Sequence, residues 1–296
     1  MLPFLFWVLS LLAIFVVFRL FDTYRIHTFQ AIVINYMVCA LTGLAIIGID
    51  PFLAIPMPPP AWFWIAVLIG SFFIATFYVI ARSTQIAGIA VTTLASRISF
   101  FIPALFSLWI FQASVRPWDT WNYLGILVAV VAVFLAAYRP KVGKLSSSAL
   151  HLPIGVFLIS GGIDTTMNYV SLYHLPEQFE AVFSVLLFGV ACSVGAVFLV
   201  VRHWQGEHFQ RRSWIGGIAL GVPNYFSIYL MLVTLRVFEG DGALVFPTFN
   251  ITVIIFSTLI SVVFFREELS RLNHTGIGLA VLAILLISYQ QFLNYF

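Results

Sequence analysis

The sequence predicts an all-α integral membrane protein with ten transmembrane helices, arranged as two inverted five-helix repeats. Three observations lead to this prediction: a composition too apolar for a surface in water, ten separate apolar runs, and an internal repeat. Of the 296 residues, 62% are hydrophobic and 8% are charged, whereas a soluble domain is about 25% charged. So few charges cannot cover a chain of this length, so lipid must surround most of it.

A helix that crosses the hydrocarbon core needs roughly 20 mostly apolar residues. The first run, from residue 2, has no Lys or Arg before it and no small-residue cleavage site after it, so we expect it to remain as a spanning helix. A polar break at 139–148 divides the chain into a first repeat over 1–145 and a second over 146–296. The ten runs lie at 2–21, 29–48, 61–80, 87–111, 120–138, 151–172, 180–201, 214–235, 243–265 and 274–293.

The two halves of the chain repeat each other. GILVAVVAVFLAAY at 125–138 matches GIGLAVLAILLISY at 276–289, an offset of 151, and Gly70 recurs as Gly221 at the same offset. Because five is an odd number, the second repeat enters the membrane from the opposite side. The halves are then related by an axis in the membrane plane, an arrangement typical of transporters with one central site.

Basic residues are divided unequally between the two faces that these runs define. Eleven Lys and Arg residues lie on the face of the loops after odd-numbered helices, and two lie on the other face. The positive-inside rule places the basic face in the cytoplasm and therefore both termini outside it. The eleven are Arg19, Arg25, Arg82, Arg139, Lys141, Lys144, Arg202, Arg211, Arg212, Arg266 and Arg271; the two are Arg116 and Arg236.

Two ionisable residues lie deep within predicted spans, Arg97 in the fourth and Asp164 in the sixth. Such residues cost roughly 2.5–3.5 kcal/mol near the centre of a span and indicate functional sites. Thr93 and Ser96 share one helix face with Arg97, and Asn168 lies one turn after Asp164. Arg97 is either an anchor for a carboxylate in a central cavity or a structural partner, of Asp164 or of backbone carbonyls freed near Pro103. Asp164 is either a proton or cation coupling group or that same partner.

Neutral polar residues and prolines within the spans are further candidates for the cavity wall. Pro223 and Pro247 weaken their helices, and the carbonyls that they free must be buried or line a cavity. Asparagines in a span more often form hydrogen bonds between helices than contact a ligand. The substrate-binding candidates of this class are Asn35, Asn224, Tyr225 and Asn250.

The whole pattern resembles the drug/metabolite transporter superfamily in its ten-helix, EamA-type form. The resemblance rests on the five-plus-five duplication, on SFFIPAL at 99–105, and on FFREELS at 264–270 before Gly276. It implies a secondary transporter that exports amino acids, other metabolites or drug-like organic solutes by alternating access. Two features differ from that family: 111–114 has no acidic residue, and family members are usually drawn with both termini in the cytoplasm. The orientation is therefore left open.

We expect a multi-pass protein of a bacterial inner membrane whose partners are a small-molecule solute, membrane lipids and a coupling proton or cation. A net charge of +3 does not favour nucleic acid. No phosphate-binding loop or metal-ligand spacing stands out in the sequence, so we expect no enzyme, cofactor or metal. Dimers occur in the superfamily, so a homodimer is one assembly that the resemblance implies. The alternative functions are a lipid flippase, a membrane scaffold that transports nothing, or a membrane enzyme with a catalytic constellation.

Overall fold

The structure is a computed structural model that describes residues 2–87, 89–114, 117–137, 151–265 and 270–293. The regular structure of these residues is helical throughout. A 3-10 turn, Glu177–Phe179, leads into α9. The α-helices are α1 (Leu2–Tyr24), α2 (Thr28–Ile47), α3 (Asp50–Leu53), α4 (Ala61–Ala87), α5 (Ile89–Ile98), α6 (Phe101–Trp109), α7 (Thr120–Ala137), α8 (His151–Tyr173), α9 (Glu180–Trp204), α10 (Arg212–Val237), α11 (Gly242–Phe265) and α12 (Arg271–Leu293).

Several of these helices are long and apolar enough to cross a membrane, as the composition predicts. Within the described residues there are five such segments, and large apolar side chains are exposed along them, including Val197, Ile215 and Leu285. Lipid rather than water is the favourable environment for such surfaces. The five segments are Thr28–Ile47, Glu177–Trp204, Arg212–Val237, Gly242–Ile260 and Arg271–Gln290.

The fourth apolar run differs from its prediction. One helix was expected over 87–111, but α5 and α6 are separated by a turn at 99–100. Each of the other nine runs coincides with one helix in the part of the chain that the structure describes. The predicted boundary between the halves, at 145 and 146, lies outside the described residues, as do Glu267 and Glu268 of the FFREELS segment.

The helices form two compact units, and each unit draws on both halves of the sequence. Unit 1 consists of residues 1–75 and 170–234, and unit 2 of residues 76–169 and 235–296. The units interleave along the chain because helices at corresponding places in the two halves pair with each other: α2 packs against α9, α7 against α12, and α6 against α11.

In unit 1, α2 and α9 run antiparallel. Gly43, near the end of α2, packs against Val185, near the start of α9. Gly195, towards the other end of α9, packs so closely on Val33 that a Cβ there would lie 2.9 Å from Val33 Cγ2. Small residues at both ends therefore let the two helices approach closely, as is usual for helices that pack within a membrane.

In unit 2, α7 and α12 are also antiparallel and are joined in the same way at both ends. The side-chain amide of Asn122, near the start of α7, donates to the carbonyl of Leu286 at 3.3 Å and to that of Ile287 at 2.9 Å. The amide of Asn273, near the start of α12, donates to the carbonyl of Leu135 at 3.1 Å. Asn122 corresponds to Asn273, and Leu135 to Leu286, at the repeat offset of 151. Each half thus makes the same bond to the other.

The two asparagines also cap their own helices. Asn122 Oδ1 accepts a hydrogen bond from the backbone N–H of Asp119 at 3.0 Å, and Asn273 Oδ1 accepts one from that of Ser270 at 3.0 Å. Asp119 and Ser270 in turn accept from backbone N–H groups of the first turn, as in a capping box. Asp119 also accepts a hydrogen bond from the Tyr289 hydroxyl, and this bond holds the pKa of Asp119 below its ordinary value.

Candidate functional site

The break between α5 and α6 is the irregular point of unit 2. Pro103 has no N–H with which to bond the carbonyl of Ser99. The N–H of Ile102 donates to that carbonyl instead, at 3.0 Å. A continuous helix is therefore replaced by a tight turn, and Arg97 occupies the last turn of α5 beside it.

Arg97 is half-buried and is held by α11. Its Nη1 donates to Asn250 Oδ1 at 3.4 Å. Asn250 is itself fixed, because its Nδ2 donates to the carbonyl of Phe246 at 3.0 Å and so turns its oxygen towards the guanidinium. A guanidinium carries five N–H donors in a planar fork. It can therefore hold Asn250 and a second planar acceptor at the same time.

The negative charge of the site comes from α8. At Gly161 this helix passes the break, where a Cβ would lie 2.9 Å from the carbonyl oxygen of Ser99 and 2.5 Å from Ile102 Cδ1. Asp164 lies about one turn further along α8, is half-buried, and interacts electrostatically with Arg97. The site thus brings opposite charges together from two helices, with a neutral amide from a third.

Asn168 stands one turn beyond Asp164 and is fully buried, with 0% of its surface exposed. Its amide packs directly against Gly242, at the start of α11, where a Cβ would collide with Asn168 Nδ2. Among the described residues, neither its amide nitrogen nor its oxygen has a hydrogen-bond partner, and the same holds for the hydroxyl of Thr248. A buried polar group left in this way costs about 1–3 kcal/mol. The contact between α8 and α11 is therefore incompletely satisfied in this conformation.

The remaining candidates of the fourth run can be placed in part. Ser96 is half-buried, and its carbonyl accepts a 2.6 Å hydrogen bond from the hydroxyl of Ser99. The side chain of Thr93 lies outside the described part of the chain. The structure therefore unites Arg97, Asp164 and Asn250 most directly.

Asn35, Asn224 and Tyr225 belong to unit 1, whereas Arg97 belongs to unit 2. Asn224 Nδ2 donates to Asn35 Oδ1 at 3.2 Å, which joins α10 to α2. Tyr225 is 1% exposed and stacks on Tyr229 with 6.0 Å between ring centroids. The two asparagines thus form a hydrogen bond between helices, as their alternative interpretation predicts, and Tyr225 stacks within its own helix.

The sequence interpretation overlooked two sets of polar residues. Asn122 and Asn273 form the capping bonds described above, and their shared offset of 151 was a signal that could have identified them. Gln30, 2% exposed, binds the turn between α9 and α10 through both its amide nitrogen and its oxygen. A polar residue at the start of an otherwise apolar run was the signal there.

Comparison with known proteins identifies the fold but no activity. No protein-family model matches the chain. An uncharacterized protein of Haemophilus influenzae (strain ATCC 51907 / DSM 11121 / KW20 / Rd) is 27% identical over 295 residues, which cover 96% of this chain and 97% of that protein. A solved crystal structure is similar with a TM-score of 0.75 and 14% identity, over 98% of this chain and 96% of the solved one. The fold of nearly the entire chain therefore occurs in an experimentally determined protein.

Proposed function

We propose that this chain is a secondary transporter of small organic solutes, with ten spans built as two inverted five-helix repeats in a bacterial inner membrane. Its substrates are amino acids, other metabolites or drug-like solutes, which it exports by alternating access. This proposal follows the resemblance to EamA-type drug/metabolite transporters. The residues that would bind the solute are those of the site in unit 2.

The pairing of helices supports the inverted repeat. The second, fourth and fifth helices of one half pack against their counterparts in the other, as α2 with α9, α6 with α11, and α7 with α12. The α2–α9 and α7–α12 pairs are antiparallel, as shown by Gly43 against Val185 and by Asn122 on Leu286. Counterparts related by an axis in the membrane plane must be antiparallel where they meet. A parallel duplication would give parallel counterparts.

The observation that carries the functional proposal is Arg97 beside a helix break, bonded to Asn250 and facing the charge of Asp164. Broken helices and paired charges within a span recur at transporter substrate sites. The planar guanidinium fits a carboxylate on the solute. Asp164 would then be the partner that the solute displaces, or the group at which a proton or cation couples to transport.

The test is the thermal stability of the purified full-length protein with a panel of amino acids, organic acids, sugars and cationic drugs. A bound ligand at about 100 times its Kd adds roughly 2.7 kcal/mol to the unfolding free energy. We expect a carboxylate-bearing class to stabilise the wild type, and Arg97→Ala to weaken that binding roughly 10- to 100-fold, since hydrogen bonds to charged groups contribute about 1.5–3 kcal/mol. Arg271→Ala, which removes an exposed arginine of α12, is the matched control.

The charge-swapped variant Arg97→Asp with Asp164→Arg separates a substrate site from a structural ion pair. Transport in proteoliposomes should remain abolished in the swapped protein, while folding recovers relative to the single variants. Recovery of transport together with folding would make the pair structural. If no solute stabilises the wild type and lipid moves between leaflets instead, the flippase is the better assignment; if neither occurs, the scaffold is.

A further inference from the structure

The turn between α9 and α10, residues 205–211, is hydrogen-bonded to the start of α2. Gln30 Nε2 donates to Glu207 Oε1 at 3.3 Å and to the carbonyl of His208 at 3.1 Å. Gln30 Oε1 accepts from the backbone N–H of Gln210 at 2.9 Å and from the hydroxyl of Ser213 at 3.1 Å. Both ends of one buried amide therefore hold the turn and the start of α10.

The carboxylate of this turn faces inward and is neutralised there. Glu207 Oε1 lies 3.2 Å from His27 Nε2, and Glu207 Oε2 lies 3.3 Å from Arg202 Nη1. Arg202 also covers the ring of Phe29, 4.5 Å from its centroid. The acidic group and its nearest arginine thus offset each other at the base of the turn.

The outer surface of the turn is basic. Arg211 and Arg212 are exposed, and Arg212 Nη1 donates to the carbonyl of Tyr24, at the end of α1, at 3.4 Å. His208 is exposed in the same turn. Since Glu207 faces His27 and Arg202, the charge presented outward is positive.

Exposed aromatic side chains border this surface. Trp204 is 81% exposed, Tyr24 59% and Trp214 45%. Tryptophan and tyrosine rings favour the boundary between hydrocarbon and head groups. The two arginines therefore lie at the level at which lipid phosphates would be found.

The corresponding turn of the first half shows that basic residues are not needed to close such a turn. At the repeat offset of 150, residues 55–61 take the place of 205–211, and they read IPMPPPA, with no Lys, Arg or His. Residues 55–61 lead from the short α3 into α4, and residues 205–211 lead from α9 to α10. In the proposed inverted repeat the two turns lie on opposite faces, and 205–211 lies on the face that carries most of the basic residues.

We propose that Arg211 and Arg212, bordered by Trp204, Trp214 and Tyr24, bind the phosphate groups of anionic phospholipids. The partner is the lipid itself, anchored by its acyl chains against the neighbouring apolar helices. This site is independent of transport: it needs the membrane embedding of α9 and α10 but not the Arg97 site.

The experiment titrates the full-length protein in detergent micelles with phosphatidylglycerol or phosphatidylcholine of identical acyl chains, and counts bound lipids by native mass spectrometry. Wild type should prefer phosphatidylglycerol. Arg211→Gln with Arg212→Gln should weaken its binding on the order of thirty-fold, since each arginine near a head group contributes about 1 kcal/mol. The double lysine variant should retain most of the preference, because the charge remains. Arg271→Gln removes an exposed arginine outside this surface and should leave it unchanged.

Equal binding of the two lipids to wild type, or an unaltered preference in the double glutamine variant, would overturn the proposal. An equally large loss of phosphatidylglycerol binding in Arg271→Gln would also overturn it, because the preference would then depend on the overall charge of the protein and not on this surface. Soluble glycerol phosphate that displaces the lipid at equal concentration would assign the arginines to free phosphate compounds instead. Circular dichroism of each variant confirms that the helices are intact.

Discussion

Two helix pairs of unit 2, α7–α12 and α6–α11, each join counterparts of the two halves, but they differ in how completely the nearby polar groups are hydrogen-bonded. Between α7 and α12, the amides of Asn122 and Asn273 use both donor and acceptor atoms. Around the α6–α11 pair, the fourth run is broken, Arg97 of α5 interacts electrostatically with Asp164 of α8, and Asn168 of α8 has no hydrogen-bond partner among the described residues. Since unbonded polar groups are costly when buried, the α7–α12 pair gains stability from its polar groups, whereas the groups around α11 are incompletely satisfied.

The largest effect is expected from widening the α7–α12 pair. A Cβ on Gly125 would lie 2.8 Å from Ile287 Cγ1 and 3.0 Å from the backbone nitrogen of Ile287. Gly125→Val should therefore lower the unfolding free energy by about 1–3 kcal/mol. Gly278→Val is the control, because a Cβ there meets nothing within 4 Å. Denaturation of both variants in detergent measures the difference, and equal losses would mean that the close approach is unimportant.

A smaller loss should follow removal of either asparagine. Asn122→Ala and Asn273→Ala each delete a cap bond and a bond to the partner helix, so each should cost about 1–2 kcal/mol. The two sites lie at opposite ends of the helices, so the double variant should show the sum. Thermal unfolding of the two single variants and the double variant tests this. Markedly unequal single effects would argue against equivalent roles.

Replacing unbonded polar groups should raise stability slightly. Thr234 is fully buried, and its hydroxyl has no partner among the described residues. Thr234→Val should increase the unfolding free energy by about 1 kcal/mol, because a desolvated hydroxyl is replaced by a methyl group of similar size. Asn168→Leu should gain less, because leucine is larger and the site is packed against Gly242. Transport activity distinguishes the two variants. We expect the transport rate to be unchanged in Thr234→Val and lower in Asn168→Leu. Full transport by Asn168→Leu would remove Asn168 from the site.

The smallest expected effect is a change in the pH dependence of stability. The hydrogen bond from Tyr289 lowers the pKa of Asp119, so the carboxylate stabilises the fold at neutral pH and this contribution is lost as pH falls below about 4 towards the folded-state pKa. Asp119→Asn should therefore be less stable than wild type at pH 7, and the gap should narrow in acid. Melting temperatures of both proteins from pH 7 to pH 3 check the sign; a gap that widens in acid would contradict it.

The helices were largely predictable because an apolar run of spanning length is visible in one stretch of sequence. The break within the fourth run was not predicted, although Pro103 stood in it, since a proline can also be accommodated near the start of a helix. Of the candidate residues, Arg97, Asp164 and Asn250 were brought together as one site. Asn35 and Asn224 join α2 to α10, the role that asparagine in a span has more often than ligand contact.

Membrane embedding, helix positions and the internal repeat follow from amino-acid composition and order, because roughly 20 apolar residues at 1.5 Å each match the hydrocarbon thickness wherever they occur. Which polar atoms are bonded and which are left without partners is a matter of packing. Arg97 is hydrogen-bonded to Asn250, 153 positions later in the sequence, and the amide of Asn168 is buried where α8 packs against Gly242. Such contacts depend on the register of packed helices, which no single apolar run encodes.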